Sequence, residues 1–135
     1  MEYIFTLPLK ISVYKSKRTG KDTFFNLNLN QYRNASYFTL NTAKISFKEE
    51  VRNRLKSDIS IIHFPIEINY KLYIGSKRLC DVSNICSIID KFFCDALVEL
   101  GILPDDNYTI ISGISYSFGG IDKSNPRCEI TIKEI

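Results

Sequence analysis

Apolar and polar residues alternate from Tyr3 to Tyr14 (YIFTLPLKISVY), the period of a strand with one buried face. Pro8 within it calls for an edge position or a bulge. Residues 15–22 (KSKRTGKD) read as a basic turn broken by Gly20. Residues 24–40 lose the alternation: Asn recurs at 26, 28, 30 and 34 among aromatics and leucines. Residues 42–57 predict a helix capped by Asn41 or Thr42, with Ile45, Val51 and Leu55 as its apolar stripe and Phe47 close by. Residues 61–74 predict one long strand or two short ones, with a break near Pro65. The clearest helix is 83–100, where Ile85, Ile88, Ile89, Phe92, Phe93, Ala96 and Leu100 share a face and Gly101 caps the end. Two further strands, 108–118 and 127–134, are joined by a loop with Gly119-Gly120 and are expected to pair as an antiparallel hairpin. The order strand, helix, strand, helix, strand, strand predicts an α/β (α+β) fold, a single mixed sheet carrying two main helices. No repeat, low-complexity segment or linker interrupts the 135 residues, a length that suits one domain spanning 1–135.

Composition narrows the class. Hydrophobic residues make up 44% and charged residues 24%, the balance of a soluble globular chain. Tyr and Phe number 8 and 9, mostly in strand-like runs, so they read first as core or sheet packing. No start with a basic segment and an apolar run marks a signal peptide, and no apolar run reaches the ~18 residues of a membrane span. A cytoplasmic protein is expected. The four cysteines (Cys80, Cys86, Cys94, Cys128) form no C-x-x-C pair, and His63 is the one histidine, which argues against zinc and for reduced thiols. The net charge of +3 is a weak pointer to nucleic acid, but its distribution says more. Lys15, Lys17, Arg18 and Lys21 share one loop, and Lys77 and Arg78 precede an acidic stretch.

That stretch, 78–107 (RLCDVSNICSIIDKFFCDALVELGILPDDN), holds the candidate chemistry. Asp81 precedes the long helix, and Asp105 and Asp106 follow it. Asn84, Ser87, Lys91 and Asp95 fall within about 80° of each other on a helical wheel, and Asp90 lies roughly 100° from Lys91. Aspartates from different elements that converge at one end of a sheet make a Mg²⁺ site, because Mg²⁺ takes oxygen ligands and offsets charge on a phosphoryl group. A nearby lysine can steady the same charge. Each piece also has a plain structural account. Asp81 suits a helix dipole, Asp105-Asp106-Asn107 suits a turn, and Lys91 with Asp95 is an i,i+4 ion pair.

The pattern Asp81-x-x-Asn84, then Lys91, Asp95-Ala96-Leu97, Gly101 and Asp105-Asp106 resembles the signature of the RusA family of Holliday junction resolvases. Upstream, Asn30, Tyr32, Arg33 and Asn34 match a comparable Asn-, Arg- and Tyr-rich stretch. The likeness follows element order over most of the chain and is specific over about 30 residues. It implies a homodimer, frequently of phage or prophage origin, in the cytoplasm of a bacterial host or phage-infected cell. Its implied activity is Mg²⁺-dependent paired nicking of a four-way DNA junction, with Mn²⁺ as a substitute. Asp81 and Asp106 would then hold the metal, with Asp105 and Asp90 as secondary ligands, and Lys91 would contact the scissile phosphate. Lys15, Lys17, Arg18, Lys21, Asn30, Arg33, Lys77 and Arg78 would contact the DNA. Two departures stand out: Ser83 replaces the second aspartate of the family's Asp-x-Asp-Asn, and the helix is longer by about one turn. Asp90 could then supply the missing ligand, Ser83 could coordinate weakly, or the site could hold one metal. The alternatives are a catalytically impaired branched-DNA-binding protein of the same fold, an unrelated structural or interaction protein in which the acidic turn is incidental, and a nuclease for flaps or forks.

Overall fold

In the computed structural model, which describes residues 2–56, 59 and 62–135, Pro8 divides the predicted first strand. Proline has no N–H for a ladder, so β1 (Glu2–Leu7) ends before it and β2 (Lys10–Lys15) begins beyond it. The two strands join different sheets. β2 pairs antiparallel with β3 (Asp22–Asn26) across the basic turn, where Gly20 takes a positive φ of 69°. The expected single sheet is therefore one four-stranded mixed sheet plus this two-stranded one, and the fold is mixed α+β.

The Asn-rich stretch forms a short helix, α1 (Leu29–Asn34), capped by Asn28, whose Oδ1 accepts from the Gln31 N–H at 2.8 Å. α2 (Tyr37–Arg52) starts earlier than the predicted position 42, because Ser36 caps it by accepting from the Thr39 N–H at 3.1 Å. Its buried stripe is Ala43, Phe47 and Val51, at four-residue spacing; Ile45, expected inside, is 51% exposed. Positions 57 and 61, the predicted end of this helix and start of the next strand, lie outside the described residues.

β4 (Ile66–Ile74) follows Pro65 and occupies the middle of the main sheet, which runs β1-β6-β4-β5. α3 (Val82–Glu99) then leads to β5 (Ile111–Ile121), which pairs parallel with β4. β6 (Arg127–Glu134) pairs antiparallel with both β4 and β1. The predicted β5–β6 hairpin is thus wrong, since β4 lies between the two strands. The connecting loop crosses the end of β4 instead. The Asp122 N–H donates to the Ile74 carbonyl at 2.7 Å, and Gly75 makes room, since a Cβ there would meet Pro126 Cγ at 2.7 Å. Arg127 fixes the crossing, lying 4.0 Å over the Tyr73 ring and bonding Asp122 at 2.8 Å and Glu129 at 2.9 Å.

α3 supplies more of the described core than any other element. It buries Ile88, Ile89, Phe92, Phe93, Ala96 and Leu97 together with Cys86 and Cys94. Phe93 meets Phe5 edge-on at 5.1 Å and Tyr70 at 6.2 Å, and Phe92 meets Phe47 at 5.8 Å. Gly101, with φ 77°, ends the helix as its sequence position suggests: its N–H donates to Val98 and the Ile102 N–H donates to Leu97. Because β4 and β5 are parallel, α3 runs back along the sheet. Its start lies at the end of β4 and its finish at the beginning of β5. No helix among the described residues is long and apolar enough to cross a membrane.

Candidate functional site

The candidate residues fall into three groups along α3. At its start, Asp81 occupies the N-cap position in extended backbone, but its side chain makes no cap hydrogen bond. The carboxylate is exposed and has no partner among the described residues. It borders an open cleft of about 820 Å³, lined also by Asn26, Asn28, Asn30, Asn84 and Arg78. The irregular asparagine spacing now has a cause. Asn28 caps α1, Asn84 Oδ1 accepts from the Leu29 N–H at 3.2 Å, and Asn34 donates to the carbonyl and side chain of Asn30. Asn84 therefore ties the start of α3 to the start of α1, a positioning role.

In the middle, Asp90 turns toward the sheet. It accepts from the Tyr70 hydroxyl at 2.6 Å and from Cys94 Sγ at 3.2 Å. Burial, then the charges of Cys94 and Asp90, hold the Tyr70 phenol well above its ordinary range. Burial and Asp90 likewise push Tyr116, across the β4–β5 ladder from Tyr70, up to about 12. Asp90 sits nine residues beyond Asp81, about 13 Å along the helix axis, and its hydrogen bonds hold it under α3. It is not brought to Asp81, so the extra helical turn does not replace the ligand missing at Ser83. Lys91 faces the other way, its ammonium 5.8 Å over the Tyr32 ring.

At the far end, Asp95 is partly buried. Desolvation raises its pKa, the charges of Lys44 and Lys91 oppose the rise, and Asp106 and Glu99 add to it. Asp106 is thus a neighbour of the last turns of α3. Asp105 closes a turn, accepting from the Asp106 N–H at 2.7 Å and from the Asn107 side chain at 2.9 Å, which holds its carboxyl below the usual range. An 18-residue helix is about 27 Å long, so Asp81 stands at one end of it and Asp105 and Asp106 stand at the other. The expected convergence is absent within one copy. Among the described residues, no group of three His, Cys, Asp or Glu side chains could hold a metal ion.

The cations are free. Lys15, Lys17, Arg18, Lys21, Arg33, Lys77 and Arg78 are all exposed, and none forms an ion pair among the described residues. Elsewhere Lys48, Arg52, Arg54 and Arg127 are all paired with carboxylates. Asn30 is exposed on α1 beside Arg33.

Sequence reading placed the aromatics inside and so missed a group that is outside. Tyr14, Phe24, Tyr37 and Phe38 are exposed, the last two at 85% and 79%. Tyr14, Phe24 and Phe38 line a groove of about 440 Å³ between the β2–β3 hairpin and the start of α2, with Asn34 and Gln31 at its polar side. Lys10 Nζ lies 4.2 Å over the Phe24 ring. The available signal was Ser36: a cap there puts Tyr37-Phe38 in a first turn, ahead of the buried stripe. His63 is exposed, its N–H donating to Glu134, and all four cysteines are free thiols, with Cys80 exposed.

No family model and no curated protein matches the chain. The likeness to RusA resolvases therefore rests on the residues named above.

Proposed function

We propose that this chain is a branched-DNA endonuclease of the RusA kind, acting as a homodimer on four-way junctions. The observation that carries this is the cleft at the start of α3. There Asp81, a carboxylate without a partner, borders the same open space as the unpaired Arg78 and a set of asparagines. Unpaired surface cations suit backbone phosphates, which position DNA without reading sequence. The exposed Phe24 and Phe38, which line the separate groove between the β2–β3 hairpin and the start of α2, suit the unstacked bases of a branch point.

Mg²⁺, or Mn²⁺ in its place, would supply charge stabilisation at the phosphoryl group. Within one copy the carboxylates of the described residues do not fit such an ion. Two copies change the geometry. A two-fold axis that sets the α3 helices side by side and antiparallel puts Asp81 of one copy at the same end as Asp105 and Asp106 of the partner subunit. Such an arrangement also gives two equivalent sites, as paired nicks require.

The second reading, binding without cleavage, is favoured by Ser83 and by the separation of the acidic residues. A labelled four-way junction, incubated with and without Mg²⁺ beside Asp81→Asn and Asp106→Asn, separates the two. The nuclease reading expects Mg²⁺-dependent nicking by wild type alone. Tight binding with no nicking selects the second reading. Absence of junction binding at moderate salt removes both, and nicking of flaps or forks in preference to junctions redirects the substrate.

A further inference from the structure

We infer that β5 is the dimer interface, pairing antiparallel with β5 of a second copy so that the two main sheets become one of eight strands. The inference rests on the dimeric reading above for its purpose and on β5 itself for its evidence.

β5 is an edge strand: it pairs with β4 on one side, and its other side has no backbone partner among the described residues. Edge strands that stay free are usually short, charged or broken by proline. β1, the opposite edge, fits that description, with six residues, Glu2 within it and Pro8 after it. β5 does not. It runs 11 residues, ISGISYSFGGI, without a charge or a proline. Its residues Ile114, Tyr116 and Phe118 share the face of Ile68, Tyr70 and Leu72, their ladder partners in β4. Those β4 residues are buried under the helices, but Ile114 and Phe118 are 48% and 51% exposed. An apolar strip therefore continues past the cover that one copy provides.

The occupant is indicated by the strand's own symmetry, for it reads nearly the same in both directions. About Tyr116, Ser115 mirrors Ser117, Ile114 mirrors Phe118, Gly113 mirrors Gly119 and Ile111 mirrors Ile121. In an antiparallel pair centred on Tyr116 each residue meets its counterpart, so Ile114 faces the partner's Phe118 twice over. A two-fold perpendicular to the sheet keeps both α3 helices on one face, where they cover the strip from either side. Bulges at Ser112 and Gly119 bracket the regular stretch from Gly113 to Phe118, which holds these central pairs. The same axis sets the α3 helices antiparallel, the arrangement that the divided carboxylates require.

The test is sedimentation equilibrium of the full chain together with oxidative cross-linking. Wild type is expected at twice the monomer mass of 15.6 kDa. Phe118→Lys, at an already half-exposed position, is expected to raise the dimer dissociation constant at least about tenfold. Ser115 and Ser117 lie on the face away from the helices and oppose each other across the proposed axis. Ser115→Cys/Ser117→Cys, with Cys80→Ser removing the exposed thiol, should therefore form a disulfide-linked dimer, since antiparallel Cα pairs at about 4.5–5.5 Å allow the bond. Ser112→Cys in the same background, opposite Gly120, should not. A monomeric wild type, or a dimer indifferent to Phe118→Lys and not cross-linked by the double variant, overturns the inference. The junction assay reads separately: a β5-linked dimer that never nicks leaves this interface standing and removes the nuclease reading. A nicking protein with another interface does the reverse.

Discussion

The two ends of α3 carry the same kind of residue in opposite circumstances. At the start, Asp81 has no partner and borders a polar cleft. At the finish, Asp95 is partly buried between Lys44 and Lys91, with Glu99 and Asp106 near, and Asp105 is used up by its own turn. The first end is left uncompensated by its surroundings; the second is nearly self-sufficient. A carboxylate that the fold does not use is the better candidate for an external cation or ligand. Proximity in sequence to a motif says less than whether the local structure already satisfies the group.

Both ends depend on the helix that holds them. Phe93 is fully buried between Phe5 and Tyr70, and truncating such a residue costs about 3–5 kcal/mol. Phe93→Ala should therefore lower urea stability by that amount and lose both ends together. A loss under about 1 kcal/mol would mean that α3 is not the frame on which the sites depend.

A smaller change isolates the first end. Asn84→Ala removes the acceptor of the Leu29 N–H, a loss of about 1 kcal/mol that should loosen α1 and the cleft. Hydrogen exchange at the Leu29 amide should rise while amides in the last turn of α3 keep their protection. Equal change at both ends would contradict the separation.

The smallest effect isolates the second end. Asp95 has a raised folded pKa, so in its titration window the native state holds the proton more firmly than the unfolded chain. Its contribution to stability accordingly grows as pH falls from neutrality through that window and is lost as pH rises. In thermal melts, wild type should gain melting temperature relative to Asp95→Asn as pH is lowered from neutrality. A pH-independent gap between wild type and Asp95→Asn would remove the account of this end.

Much of the fold was legible in the chain. α3 followed from its apolar face and Gly101, and β4 from its β-rich run after Pro65. What escaped was nonlocal or local in specific ways. Nothing in the alternation of β5 and β6 reveals that β4 comes between them; that depends on Gly75 and Arg127 shaping one crossing. The start of α2 was hidden because residues 24–40 showed no clear period, while Ser36 supplied the cap. The candidate residues were legible as types, and their separation was not. A helix spacing gives angle and rise, but only the parallel pairing of β4 and β5 shows that Asp106 emerges at the end opposite Asp81.

The most direct measurement is subunit complementation. Asp81→Asn and Asp106→Asn, each inactive alone, are mixed, allowed to exchange and assayed for Mg²⁺-dependent nicking of a four-way junction. If each site takes Asp81 from one copy and Asp106 of the partner subunit, the mixed dimer holds one intact site. Random exchange then restores about a quarter of wild-type sites. No recovery in a mixture shown to have exchanged would contradict a site built from the two ends of α3 in different copies.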